Sequence, residues 1–239
     1  MTLSAQKLGQ AAVHIWPVRL NESGVGWDEL EVTLSADELA RAARFYMERD
    51  RRRYTVARAC LRRVLGAYVG MDAKQLTFCY SPYGKPHLKN THTDIRFNVS
   101  HSHSMAVFGI TSGQEIGIDI ERIRHDVEIE QLAQRFFSRV EFEALSRIMP
   151  ESKVAAFFRT WTCKESFLKG EGVGLSFPLD CFDVEVDIRK PAALLATRPN
   201  ASEAGQWSMR SLDIADGYAA AVAVKGTIEE LSIFPAMNG

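Results

Sequence analysis

Three acidic residues, Asp119, Glu121 and Glu165, stand in two short segments whose spacing suits them to share one positively charged ligand. In Gly117-Ile118-Asp119-Ile120-Glu121, the isoleucines at 116, 118 and 120 alternate with Gly117, Asp119 and Glu121. That period of two marks a strand with one apolar face. Both carboxylates then leave the strand on the side away from the isoleucines, roughly 7 Å apart at about 3.3 Å per residue. In Trp161-Thr162-Cys163-Lys164-Glu165-Ser166-Phe167-Leu168-Lys169, an apolar helical stripe runs through Val154, Phe158, Trp161 and Leu168, and Glu165 falls on it. A carboxylate on a core-facing stripe is costly to bury without a partner. A hard divalent cation shared with Asp119 and Glu121 would offset that cost. Each segment also has an ordinary reading. An Asp-x-Glu strand face can simply be solvated, and Glu165 with Lys169 has the i,i+4 spacing of a surface ion pair.

The elements that must hold these residues follow from periodicity. Residues 13–20 read as a strand, and Gly24 with Gly26 as a loop. Ser35 with Glu38 three residues on has the form of a capping box, opening a helix through Leu39, Ala42, Phe45 and Tyr46. A second helix carries Tyr54, Ala57, Leu61, Val64, Leu65 and Tyr68 and stops at Gly70. Residues 81–86 form a turn, and 97–100 and 106–110 read as strands. The order then recurs: a strand over 116–123, one helix over 130–147, and a helix over 153–169 ended by Gly170 and Gly172. A strand through Phe182, Val184, Val186 and Ile188 follows, and then strands over 207–212 and 218–224. Arg135-Phe136-Phe137 echoes Arg44-Phe45-Tyr46, and residues 217–222 echo 104–109. The expected fold class is α+β, with two similar α+β halves, 1–115 and 116–239, and the carboxylates near their junction. Residues 191–206 are expected to be irregular and 235–239 frayed.

Composition bounds the partners. The 239 residues are 46% hydrophobic and 25% charged with net charge −1, so global charge points to neither nucleic acid nor membrane. Arginines at 49, 51, 52, 53, 58, 62 and 63 form a local cluster, which reads either as an anion site or as a solvated helix face. Cys60, Cys79, Cys163 and Cys181 show neither metal spacing nor a disulfide framework, the pattern of reduced thiols in a cytoplasmic protein. The first ten residues lack an apolar signal core, and no apolar run approaches membrane-spanning length.

Phe97-Asn98-Val99-Ser100-His101-Ser102, Gly117 to Glu121, and Trp161 to Lys169 resemble, in order and spacing, the signatures of the 4′-phosphopantetheinyl transferases. Tyr83-Gly84-Lys85-Pro86, Arg135-Phe136-Phe137-Ser138 and Gly172-Val173-Gly174-Leu175-Ser176 add to the resemblance, which covers residues 40–185. The length and doubled layout are similar to the larger, pseudodimeric Sfp-type branch, with a ligand cleft between the halves. The resemblance implies transfer of phosphopantetheine from coenzyme A to a serine of an apo acyl or peptidyl carrier protein, releasing adenosine 3′,5′-bisphosphate, by a monomer. It implies that Asp119, Glu121 and Glu165 hold Mg²⁺ on the pyrophosphate, that Glu165 takes the serine proton directly or through a water, and that Lys169 stabilises phosphate charge. Arg53, Lys85 and His101 would contact the 3′-phosphate. His101 and His103 could instead ligate a transition metal, though two ligands alone rarely make a site. His103 also departs from the small residue usual in the family after the His-Ser pair. The carrier is expected to dock at the basic surface of Arg122, Arg124, Arg135 and Arg139. A Mg²⁺-dependent phosphohydrolase and a non-catalytic coenzyme A-binding protein are the rival readings.

Overall fold

The computed structural model describes residues 6–21, 27–89, 92–174, 177–198 and 200–238. The expected loop at Gly24 and Gly26, and Leu175 and Ser176 of the glycine-rich motif, lie outside them.

The chain opens with β1 (Ala12–Arg19), then the short helices α1 (Trp27–Glu31) and α2 (Ala36–Ala42) and the 22-residue α3 (Glu48–Val69). A ribbon of β2 (Thr77–Tyr80) and β3 (Pro86–Lys89) leads into β4 (Ile95–Ser102) and β5 (Met105–Ser112). The second half repeats this order. After β6 (Ile116–Arg122) come α4 (Ile129–Phe136), α5 (Arg139–Ser146) and the 22-residue α6 (Pro150–Glu171). A ribbon of β7 (Phe182–Val184) and β8 (Leu194–Thr197) precedes β9 (Trp207–Leu212) and β10 (Tyr218–Lys225). The sheet orders match: β1-β5-β4 in the first half, β6-β10-β9 in the second, all antiparallel. Each long helix ends on a left-handed glycine, Gly70 at φ 67° and Gly172 at φ 70°, where a Cβ would be strained.

Several boundaries differ from the sequence expectation. The helix expected over 130–147 is two helices, broken at Phe137 and Ser138 because Ser138 caps α5 and Glu141 closes a capping box back onto it. This also puts the Arg44/Arg135 echo out of register. Arg135 lies in α4, before α5, whereas Arg44 follows α2, and the true counterparts are the capping serines Ser35 and Ser138. The strand through Ile188 stops at Val184, and the expected irregular stretch contains β8, paired to β7. Up to Asn238 the expected fraying is absent, and Gly239 lies outside the described residues. β11 (Glu230–Ile233) and β12 (Met237–Asn238) pair in parallel with β1, and Phe234 stacks on Trp16 with centroids 3.9 Å apart.

Candidate active site

The two sheets meet where β4 runs beside β6, and side chains rather than a backbone ladder join them. Asn98 Oδ1, Ser100 Oγ and Ser102 Oγ accept the backbone N–H groups of Ile118 (3.0 Å), Ile120 (3.4 Å) and Arg122 (3.1 Å). Each serine hydroxyl then donates to a carboxylate: Ser100 to Asp119 Oδ1 and Ser102 to Glu121 Oε2, both at 2.8 Å. A hydroxyl can accept and donate at once, which is why serine suits this seam. Sequence reasoning passed over these positioning groups, although polar residues at every second place of a strand, Asn98, Ser100 and Ser102, were a legible signal.

On the same face of β6, α6 presses against the strand. A Cβ on Gly117 would lie 2.0 Å from the Ser166 carbonyl oxygen and 2.2 Å from the Gly170 nitrogen. Only glycine permits that approach, and the approach sets Glu165 and Lys169 over the strand. The isoleucines of β6 pack into a core with Val13, Ile15 and Val222 on the other side. The carboxylate face is therefore not solvated: Asp119 is 3% and Glu165 8% exposed. Nor is α6 amphipathic around Glu165, since Thr162 to Leu168 are all buried. This helix runs through the protein interior instead of along its surface.

Lys169 Nζ donates to Asp119 Oδ1 (2.6 Å) and Ser100 Oγ (2.9 Å), not to Glu165 across an exposed helix turn. Asp119 Oδ2 and Glu165 Oε1 are buried without a hydrogen-bond partner. Burial, with the charge of Asp119 next in size, pushes the Glu165 carboxyl up to about 7; Lys169 opposes the shift and Glu121 adds to it. Burial also raises Glu121, against the hydrogen bond from Ser102. Among the described residues, no three His, Cys, Asp or Glu side chains converge tightly enough to hold a metal ion as they stand; the positive charge beside Asp119 comes from Lys169.

The residues assigned to the 3′-phosphate do not share one place. Arg53 and His101 line a cavity of about 240 Å³ with Phe45, Asp50, Tyr54 and His103. Lys85 lines a different one, of about 430 Å³, with Tyr83, Asn98, Glu165, Leu168 and Lys169. Its ammonium donates to Glu115 Oε2 and to the Gly170 carbonyl oxygen, both at 2.7 Å, so Lys85 ties the β2–β3 turn to the end of α6. The alternation of β4 separates two surroundings: Ser100 and Ser102 bond the carboxylates, while His101 lies at the second cavity.

The profile of the 4′-phosphopantetheinyl transferase superfamily matches residues 115–223, and that of a 4′-phosphopantetheinyl transferase N-terminal domain matches 21–112. The chain is 39% identical to the 4′-phosphopantetheinyl transferase HetI of Nostoc sp. over 216 residues, 90% of this chain and 88% of that one. It is 35% identical to the 4′-phosphopantetheinyl transferase Sfp of Bacillus subtilis over 153 residues, 64% of this chain and 66% of that one. With this seam and these matches across both halves, the chain belongs to the 4′-phosphopantetheinyl transferase superfamily, in its larger Sfp-type branch.

Proposed function

We propose that the protein transfers 4′-phosphopantetheine from coenzyme A to a serine of an apo acyl or peptidyl carrier protein, releasing adenosine 3′,5′-bisphosphate, and that it does so with Mg²⁺. The observation that carries the metal assignment is the pair of buried, unpartnered oxygens, Asp119 Oδ2 and Glu165 Oε1, in a cluster of three acids. Such a donor set fits a hard divalent cation, which takes a few carboxylates and completes its shell with phosphate oxygens and water. Asp119, Glu121 and Glu165 would hold it. When bound, it neutralises charge on the phosphate under attack and on the leaving phosphate.

The chain's own groups have distinct tasks. Glu165, which lines the larger cavity, would accept the carrier serine's proton, directly or through a water. Lys169 brings a positive charge to the seam and would face developing negative charge on the phosphate. Ser100 and Ser102 hold the two strand carboxylates in place. Arg53 and His101 would take the 3′-phosphate, a charge-assisted contact for which the guanidinium fork is suited. Lys85 joins them in the sequence-based assignment; its bonds to Glu115 and the α6 terminus support a supporting role at the other cavity instead. The carrier would approach the surface bearing Arg139, Val140 and Met149, whose side chains are exposed. We further propose a monomer in the cytoplasm, the compartment that four free cysteines fit; no helix among the described residues is long and apolar enough to cross a membrane.

Intact mass of an apo carrier after incubation with coenzyme A and Mg²⁺ tests the reading. One added phosphopantetheine is expected. Inorganic phosphate with an unchanged carrier mass would establish the phosphohydrolase instead, and neither product would leave a binding protein.

A further inference from the structure

The β4–β5 connection is two residues long, His103-Ser104, and His103 sits in the left-handed region at φ 53°. Glycine is the default there, with Asn, Asp and His the enriched alternatives, and a side chain keeps such a conformation where its surroundings over-determine it. Here they do. The Ser104 carbonyl oxygen accepts the Leu20 N–H (2.8 Å), and Ser104 Oγ lies 3.0 Å from the hydroxyl of Tyr218, a residue of the other half. The turn is thus pinned from both sheets, and the exposed His103 lines the smaller cavity.

That cavity is bordered by an excess of positive charge. Arg53 comes from the second turn of α3 and His101 from β4; Arg49, at the start of α3, and Arg122, at the end of β6, also act on His103. The one carboxylate in the lining is Asp50, 3.9 Å from Arg53. Slight burial and the charges of Arg122, Arg53 and Arg49 lower the His103 pKa. A protonated histidine here is repelled by Arg53 and by the charges of Arg49 and Arg122. A multiply charged anion in the cavity offsets that repulsion.

We propose that His103 is a specificity-determining residue that contacts the terminal phosphomonoester of the nucleotide substrate from the β4–β5 turn, opposite Arg53 and beside His101. This rests on the assignment of the cavity to the 3′-phosphate of coenzyme A, and it adds a ligand from a second structural element to that site. His103 would thereby act on the choice between nucleotides that carry the phosphomonoester and those that lack it, not on the transfer step.

The test is steady-state carrier modification with coenzyme A and with 3′-dephospho-coenzyme A, at pH 6.5, for wild type, Arg53→Ala, His103→Gly and His103→Asn. Glycine and asparagine both accept the left-handed turn, so the fold is retained, and agreement between them excludes a loosened loop as the cause. Both His103 variants are expected to raise KM for coenzyme A about threefold to fivefold, as for a partly exposed ion pair, with kcat and the dephospho substrate unchanged. Wild-type discrimination that Arg53→Ala lowers but the His103 variants leave intact would overturn the role of His103 while the cavity assignment stands. Equal use of both substrates by wild type would overturn the cavity assignment and the inference with it.

Discussion

The two halves share one plan but differ at the contact between their first strand and long helix. When Gly70 is matched to Gly172, and the capping serine Ser35 to Ser138, the halves align element by element. In each, the capping-box glutamate is buried and paired with a buried cation of the long helix: Glu38 with Arg62 (2.6 Å) and Glu141 with Lys164 (2.7 Å). In each, that cation also donates to backbone carbonyls at the approach to the ribbon, Leu76 in one half and Phe182 in the other. The halves part where strand meets helix. In the first, His14 and Tyr68 stand between β1 and α3, bonded at 2.6 Å, and Trp16 and Val18 fill a core. In the second, the matching places hold Gly117 and Gly170, then Asp119 and Glu121. Removing two side chains drives α6 onto β6, and carboxylates replace the core residues. One half keeps a packed interface and the other gathers buried carboxylates there.

Substitutions at matched positions can break this comparison. Gly117→Ala should have the broadest effect, on fold and turnover together, because its Cβ would meet backbone atoms at 2.0 and 2.2 Å that cannot rotate away. Overpacking of this kind costs about 1–3 kcal/mol or more, and denaturant unfolding with an activity assay should show both stability and turnover falling; an unchanged protein would mean that α6 is not pressed on β6. Glu141→Ala and Glu38→Ala should each destabilise by about 3–5 kcal/mol, since each leaves a buried cation unpaired. Only the first should also distort turnover at temperatures where the protein stays folded, because Lys164 adjoins Glu165. Equal turnover losses would argue against that asymmetry.

Asp119→Ala should reduce turnover by more than about a hundredfold, as expected for loss of electrostatic stabilisation at a reacting centre. Its effect on stability should be smaller, because Lys169 is 31% exposed and can reach water. A variant that melts far below the parent would make Asp119 a structural residue.

Glu165→Gln addresses the pH behaviour. The folded-state pKa of Glu165 is raised from 4.5 to about 7, so the folded protein binds more protons than the unfolded chain between those values. Stability from this group is then fully present below about 4.5 and falls as pH rises to about 7. Without divalent metal, the amide variant should lack this fall and be more stable than wild type at pH 8, by roughly 3 kcal/mol. Identical pH–stability curves would show that Glu165 is not held in this way. Arg139→Glu is the smallest change. Arg139 is 91% exposed and pairs with Glu143, and exposed charges act mainly on association. The carrier KM should rise a few-fold at low salt while that for coenzyme A stays constant; an unchanged carrier KM would place docking elsewhere.

The strands and both long helices were legible because their periodicity is strong, and Gly70 and Gly172 marked where the helices stop. The acids were legible because Glu165 conflicted with its apolar surroundings. The break at Ser138 was hidden by apolar residues that continue a helical pattern across it, although Ser138-Arg139-Val140-Glu141 was a readable capping box. The symmetric pairs Glu38–Arg62 and Glu141–Lys164 were illegible because charged residues on helices usually face water, and only the tertiary structure shows these buried. Lys85 illustrates a different limit. Its motif was recognisable, but the direction of its ammonium, toward Glu115 and Gly170, is set by packing between distant segments.

The most direct test of the claim that the second half has become a metal site is calorimetry of Mg²⁺ binding in the presence of coenzyme A, in buffers of different ionisation enthalpy. With Glu165 titrating at about 7, a cation that needs its carboxylate must displace a proton. The account predicts one ion per chain, proton release at pH 6.5 that vanishes at pH 8.5, and loss of binding in Asp119→Asn. Binding that releases no proton at pH 6.5, or that survives Asp119→Asn unchanged, would contradict it.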